Sequence, residues 1–423
     1  MIKQIKNIDT FDRNIILVFI GTSFANLLNL LYQLLIAHRL SSDNFAAFNS
    51  LLSIFMLISS PLGTFQAAIA KYSAEFSAQN QTKKIKILLF QFLKNNFLFA
   101  IATFFIFYFS SSYLTDKLKV YSVSSGHILA VLFALWWITP LFLGAIQGLE
   151  LFKWFVSITV IVGLLKLFFA HLFIIRGLDV NGALGALLLS ALIGFIISLF
   201  ALRNFIDFKT PQDGISITSE KNEVNFKEII FFMFPLAISV FCFMGLVNFD
   251  MILVRYFFIP QDSGSYSLAQ MVGKIFLFLP ASISIVMFPR TSGLNAKNQD
   301  TSLTLKRSLF YAAGLCILAA LIYNSFPSFV LKVLTGKVNA DSIILGRLFS
   351  VSMTFFTLLY ILIAYLLSIK DLRFIRHLIL FTCLQFFSII LFHKSLLQVQ
   401  LVLCVNSVLL FFIHLNFVCF KKY

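Results

Sequence analysis

FMGLVNFDMILVRYFFIPQDSGSYSLAQMVGKIFLFLPASISIVMFPR, from Phe243 to Arg290, holds two apolar helical spans joined by a compact Arg, Pro, Asp, Gly, Tyr connection. A weaker version, AHRLSSDNFAAFNSLLSIFMLISSPLGTFQAAIAK, runs from Ala37 to Lys71. A constant offset of 219 residues superposes Asp43 on Asp262, Pro61 on Pro280 and Lys71 on Arg290. The chain reads as a duplication. Two like halves in the same orientation are the layout of a membrane transporter whose path lies between them.

Composition sets the class. With 60% hydrophobic and only 12% charged residues over 423 positions, the chain has too little polar surface for a water-soluble domain. The 54 Phe read as lipid-facing and helix-packing bulk. Cys242, Cys316, Cys383, Cys404 and Cys419 lie singly in apolar runs, and no two of the six His have metal-ligand spacing. Neither a disulfide framework, a metal site nor any other cofactor is expected.

The net charge of +16 invites a nucleic-acid partner, but the basic residues are scattered among short loops between apolar spans, which excludes one. They report topology instead. Twelve spans of about 20 residues, enough to cross roughly 30 Å of hydrocarbon, are expected near 14–36, 46–70, 88–113, 126–148, 154–175, 182–203, 229–250, 264–288, 308–327, 344–367, 374–392 and 397–419. Of the 33 Lys and Arg, 21 fall in the termini and even-numbered loops, eight in the opposite loops and four within spans. The positive-inside rule then puts both termini in the cytoplasm. The first span is too long for a cleavable signal and stays in the membrane.

The hydrophilic interval Asn204 to Lys227 separates six spans from six. The expected organisation is an N-terminal six-helix bundle (1–204), a cytoplasmic linker (205–227) and a C-terminal six-helix bundle (228–423), all α-helical and related by a parallel pseudo-two-fold repeat. Basic residues flank an apolar run in KKIKILLFQFLKNN, Lys83 to Asn96, which reads as an interfacial elbow before the third span.

Function is sought where polar groups enter the membrane, because an ionised side chain at mid-bilayer is costly and normally faces a cavity or a partner. Lys166 and Lys274 lie deep in the fifth and eighth spans; Arg347 lies near the outer end of the tenth and Lys94 near a cytoplasmic interface. The alternative for each is a lysine or arginine that snorkels or bonds backbone carbonyls. Polar stripes at helical spacing accompany them: Thr22, Asn26, Asn29 and Gln33; Ser263, Ser267, Gln270 and Lys274; Arg347, Ser350, Thr354 and Thr357. Interhelical hydrogen bonding would account for any one stripe. Three together, two carrying cations, favour a cationic, water-filled cavity, whose ligand would be an anion such as a phosphate or pyrophosphate. Asp250 is the one acidic residue placed at or within a span. It is a candidate to pair with Arg255 as an outer gate or to couple transport to an ion, the alternative being an interfacial carboxylate. Arg39 and Arg255 occupy corresponding places in the halves as candidate flanks of the outer mouth. Pro61, Pro235 and Pro280 lie within spans, where each removes a backbone donor, and are candidate hinges or static kinks.

NFDMILVRYFFIPQDSGSYSLAQMVGKI with the following FPR, and HRLSSDNFAAFNSLLSIF in the first half, resemble the polysaccharide-exporter branch of the multidrug/oligosaccharidyl-lipid/polysaccharide exporter superfamily. The resemblance spans both halves and is strongest from Phe249 to Arg290. It implies twelve helices in two six-helix bundles, alternating access, and a lipid-linked oligosaccharide flippase rather than an enzyme. The implied substrate is an undecaprenyl-pyrophosphate-linked oligosaccharide, moved across the bacterial cytoplasmic (inner) membrane for O-antigen, capsule or exopolysaccharide biosynthesis. Expected partners are that substrate, membrane lipid, a coupling H+ or Na+, and a glycan polymerase. The family's Asp and Arg fall on Asp250 and Arg255, and its Gly and Tyr on Gly264 and Tyr266. In the first half Ala46 and Phe48 replace the usual Gly and Tyr.

Three other readings compete. A cation-coupled multidrug exporter of the same superfamily would carry deep acidic residues where this chain carries cations. A lipid II flippase would be expected to add two C-terminal helices. A polytopic glycan polymerase or ligase would display a large outer loop with Arg or His, and the outward loops here are short.

Overall fold

The computed structural model describes residues 10–79, 81–203, 226–278 and 280–419. Among these every regular element is helical: α1 (Thr10–Arg39), α2 (Ser42–Ser59), a 3-10 turn (Ser60–Leu62), α3 (Gly63–Ala78), α4 (Thr82–Lys117), α5 (Val123–Gly148), α6 (Phe152–Ile175), α7 (Asp179–Leu202), α8 (Phe226–Phe257), α9 (Pro260–Phe278), α10 (Ala281–Ala296), α11 (Ser302–Ser325), α12 (Pro327–Thr335), α13 (Ala340–Ser368), α14 (Ile375–Leu391) and α15 (Leu396–Cys419). The protein is an all-α, polytopic membrane protein.

Among the described residues, ten segments are long and apolar enough to cross a bilayer, one of them α2 to α3 taken together. Two of the twelve expected spans differ in form. The eighth is broken into α9 and α10, and the eleventh, α14, is apolar but only 17 residues long. The sequence duplication is visible in the helices. α2 and α3 are separated at Ser60–Leu62 and α9 and α10 just before Ala281, so Pro61 and Pro280, 219 residues apart, occupy equivalent breaks. Pro235 differs: it lies inside continuous α8, where its missing N–H leaves a carbonyl one turn back without its usual donor. The elbow expected at Lys83 to Asn96 is absent. Those residues are part of α4, whose 36 residues make one helix of about 54 Å, long enough to emerge from the hydrocarbon without a bend.

The chain folds into two compact units. Of the described residues, the first holds those up to Ile36, those of Ser59–Asp116 and those of Val120–Phe234; the second holds Ala37–Ile58, Lys117–Lys119 and those from Pro235 onward. The linker expected at 205–227 lies outside the described residues as far as 225, and the two terminal tails lie outside them too.

In the first unit α3 packs on α5, and α7 on α5 and α6. Lipid is as apolar as a leucine side chain, so helices associate through close packing rather than through the hydrophobic effect. Gly144 and Gly148, four residues apart on α5, supply that closeness. A Cβ on either would stand 2.6 Å from the Gln66 carbonyl oxygen or 2.5 Å from that of Ala70. Ala68, Ile69, Phe142 and Ala145 fill the seam.

The second unit is organised around α13, which packs against α9, α10, α11 and α15. Phe349, Met353 and Phe356 of α13 meet Tyr266, Val272 and Phe276 of α9 in one buried cluster. Residues 37–58, which the sequence assigns to the first half, also pack here: Ala46 is fully buried in the same cluster.

Candidate functional site

Each unit contains a polar cluster around a buried ionisable group. In the first, Lys166 of α6 is only 8% exposed. Its ammonium donates to Asn29 Oδ1 and lies 4.6 Å from the centre of the Tyr32 ring. Tyr32, one turn from Asn29 on α1, is fixed by donating its hydroxyl to the Ala183 carbonyl of α7 at 2.8 Å. An amide oxygen and an aromatic face solvate a cation but do not neutralise it. Among the described residues no carboxylate forms a salt bridge with Lys166. Among the described residues the site therefore holds no compensating carboxylate. Of the other residues in the α1 stripe, Asn26 is open, Thr22 turns its hydroxyl back to the Val18 carbonyl, and the amide oxygen of Gln33 is buried with no hydrogen-bond partner among the described residues.

The cluster of the second unit centres on Asp250, which is fully buried. α8 continues to Phe257, so Asp250 lies two turns inside the helix rather than at its end. Tyr266 donates to Asp250 Oδ2 at 2.9 Å, and Gln270 Nε2 lies 3.3 and 3.4 Å from the two carboxylate oxygens. The Tyr266 oxygen is also 3.2 Å from Gln400 Oε1, and Gln400 Nε2 donates to Ser352 Oγ at 3.0 Å. One hydroxyl hydrogen thus faces two acceptors, a carboxylate and an amide oxygen.

The α9 stripe divides between two neighbours. Tyr266 and Gln270, four apart, turn to Asp250, whereas Ser267 and Lys274 turn to Asn49 of α2: Asn49 Nδ2 donates to Ser267 Oγ at 2.7 Å and Lys274 donates to Asn49 Oδ1 at 3.4 Å. Lys274 is half-buried and also within electrostatic reach of Asp250. Asn49 lacks a charge or a motif to single it out in the sequence. Gln400 and Ser352 likewise stand in apolar runs, and only tertiary packing selects them.

The pairing considered between Asp250 and Arg255 does not form. Arg255, five residues on, turns away from Asp250, and its fully buried guanidinium bonds Asp43 Oδ1 through Nη1 at 2.5 Å, the Leu118 carbonyl through Nε at 2.7 Å and the Lys119 carbonyl through Nη2 at 2.7 Å. All these groups belong to the second unit. Asp43 and Arg255 come from the two copies of the sequence repeat, so the ion pair joins them. Gly264 fits beside it, because a Cβ there would stand 3.1 Å from Ser42.

Several expected site residues are not drawn in. Arg347 and Arg39 are exposed, as is Lys94. Along the α13 stripe, Ser350 and Thr354 return their hydroxyls to their own helix, and Thr357 donates to the Phe276 carbonyl at 2.9 Å.

Together these features define a polytopic membrane protein with buried, unequally charged polar groups. The structure is similar to an inward-facing multidrug resistance MATE family transporter of the MOP superfamily, with a TM-score of 0.72 and 14% identity over 95% of this chain and 98% of that one. The lipid II flippase MurJ in its inward closed conformation matches with a TM-score of 0.70 and 14% identity, over 96% of this chain and 87% of the other. A MOP superfamily transporter from Pyrococcus furiosus, described as having a binding pocket of reversed polarity, matches with a TM-score of 0.55 and 14% identity, over 96% and 95%. No curated protein sequence matches. The fold is that of the MOP superfamily. Residues 11–295 match the polysaccharide biosynthesis protein family, and the chain belongs to that family.

Proposed function

We propose that this protein is a flippase that moves an undecaprenyl-pyrophosphate-linked oligosaccharide across the bacterial cytoplasmic membrane by alternating access, with both termini in the cytoplasm. The observation that carries the reading is Lys166, a buried ammonium solvated by Asn29 and Tyr32 but left without an acidic partner among the described residues. A membrane-embedded charge of this kind marks a substrate path by default. In a family that serves polysaccharide biosynthesis, the anion calling for it is the pyrophosphate of a lipid-linked glycan. Lys274 offers a second cation, and the amides on α1 suit sugar hydroxyls.

Asp250 is the coupling group in this reading. When ionised it takes the Tyr266 hydrogen. When protonated it donates to the Tyr266 oxygen, which releases the Tyr266 hydrogen to Gln400. Either state satisfies the chain, as a proton-coupled site requires. Pro61 and Pro280, at equivalent helix breaks, and Pro235 are the hinges proposed for the cycle. Arg255 with Asp43 forms the gate, which Arg39 flanks.

The test is leaflet-resolved detection of undecaprenyl-linked glycan in cells lacking the gene. Glycan should accumulate on the cytoplasmic leaflet and be cleared by wild type, but not by Lys166→Ala or Lys274→Ala at equal membrane abundance. Asp250→Asn should bind substrate yet lose the dependence of export on the proton gradient. Full activity of either lysine variant refutes its assignment. An unchanged glycan distribution on deletion refutes the glycan reading in favour of a lipid II or drug substrate.

A further inference from the structure

Lys119 follows α4 and Lys337 follows α12, 218 residues apart, one short of the repeat offset, so they occupy corresponding places in the two copies to within one residue. Lys119 donates to the Phe258 carbonyl at 2.5 Å and lies 3.4 Å from that of Tyr256. Lys337 donates to the Ala37 carbonyl at 2.7 Å and to that of Leu40. The acceptors are equivalent too. Ala37 and Leu40 close α1, and Tyr256 and Phe258 close α8, where the last carbonyls have no intrahelical donor and form the negative end of the helix dipole.

The equivalence is crossed. The lysine of the first repeat caps the first long helix of the second, and the lysine of the second repeat caps that of the first. All six groups lie within the second compact unit. Each lysine is itself held. The Leu118 and Lys119 carbonyls accept from Arg255, so residues 118 and 119 are bound both through their carbonyls and through the Lys119 ammonium. On the other side, Thr335 Oγ1 bonds the Lys337 carbonyl at 2.9 Å, and Gly336 adopts φ +70°, with its Cβ direction 2.9 Å from the His38 ring. That close approach brings Lys337 onto the end of α1.

We propose that Lys119 and Lys337 are a reciprocal pair of positioning residues that hold the ends of α1 and α8 and make and break together in the transport cycle. The proposal rests on the gate reading of Arg255 and Asp43. A capping lysine within one repeat would merely finish its own helix. Crossed caps make the end of each helix depend on the other repeat, so releasing one withdraws support from both. Burial lowers the pKa of both lysines, as expected of ammonium groups drawn away from water, and for Lys119 the nearby Arg255 charge adds to this.

The experiment is amide hydrogen exchange on the full-length protein in lipid nanodiscs, without substrate, comparing wild type with Lys119→Gln, Lys337→Gln and the double variant. Each single change should speed exchange roughly tenfold, the scale of a lost charge-assisted bond, in both 37–44 and 254–262. The double variant should add little beyond either single one. Acceleration confined to the segment each lysine touches, with additive effects in the double variant, overturns the pairing. If Lys119→Gln fails to fold, Gly336→Ala disturbs the second cap through His38 without removing a charge. Loosening of 254–262 in that variant supports the pairing, and a change confined to 37–44 refutes it. Because no substrate is present, coupled exchange in a protein that exports no glycan would sink the flippase reading alone; uncoupled exchange in an active flippase would sink this one alone.

Discussion

Replacing Arg255 by Gln removes more than an ion pair. The guanidinium is fully buried, whereas the Asp43 side chain is 22% exposed, so water screens the carboxylate in part and the arginine not at all. Removing one partner of a buried pair costs about 3–5 kcal/mol, and the exposure of Asp43 argues for the lower end, about 3 kcal/mol. The Leu118 and Lys119 carbonyls also lose their donor, at roughly 1–3 kcal/mol for each one left unsatisfied. Asp43→Asn keeps an acceptor oxygen but leaves the fully buried guanidinium without a counter-charge, so it should cost at least as much, about 3–5 kcal/mol. The assay is equilibrium unfolding of the purified protein by titration from mild into denaturing detergent, run as a double-mutant cycle. A coupling of about 1.5 kcal/mol or more between the two positions is expected. The charge-swapped protein, Asp43→Arg with Arg255→Asp, should not recover, because a carboxylate at 255 would face two carbonyl oxygens. A coupling within about 0.5 kcal/mol of zero, or recovery in the swapped protein, refutes the account.

Two further outcomes follow from local geometry. Gly148→Val should destabilise the first unit by about 1–3 kcal/mol in the same unfolding assay, because the added Cβ meets the backbone of Ala70, which cannot step aside; Gly293→Val, with nothing near its Cβ, should be close to neutral, and equal effects would refute the packing argument. The capped arrangement of Lys119 and Lys337 binds fewer protons than an uncapped one, since burial lowers both pKa values below the ordinary 10.5. Raising pH towards that value should therefore favour capping and slow exchange at 37–44 and 254–262, relative to intrinsic rates. Arg255 and Asp43 near Lys119, Tyr256 at its acceptor and His38 beside Gly336 also carry charge or titrate, so the double Lys→Gln variant isolates the lysines; a pH effect of the same size in that variant would refute it.

Much of the fold was legible along the chain. Apolar run length fixes which segments can span a bilayer, and the 219-residue offset pairs Pro61 with Pro280, which do sit at equivalent helix breaks. Lys166 and Lys274 were visible because a charge inside an apolar run is conspicuous wherever the helix packs. The partners were not. Asn49, Gln400 and Ser352 are ordinary polar residues, and their roles depend on which helix lies opposite.

Sequence alone therefore determined the membrane class, most of the helical spans, the duplication and the presence of Lys166 and Lys274 inside apolar runs, since each depends on local composition or on a repeat distance. Tertiary structure decided the pairings. It gave Arg255 to Asp43 rather than to Asp250, divided the α9 stripe between Asp250 and Asn49, and crossed the caps of Lys119 and Lys337. A helix fixes the direction of its side chains only relative to its own axis, so the identity of a partner is settled when another helix is packed against that face.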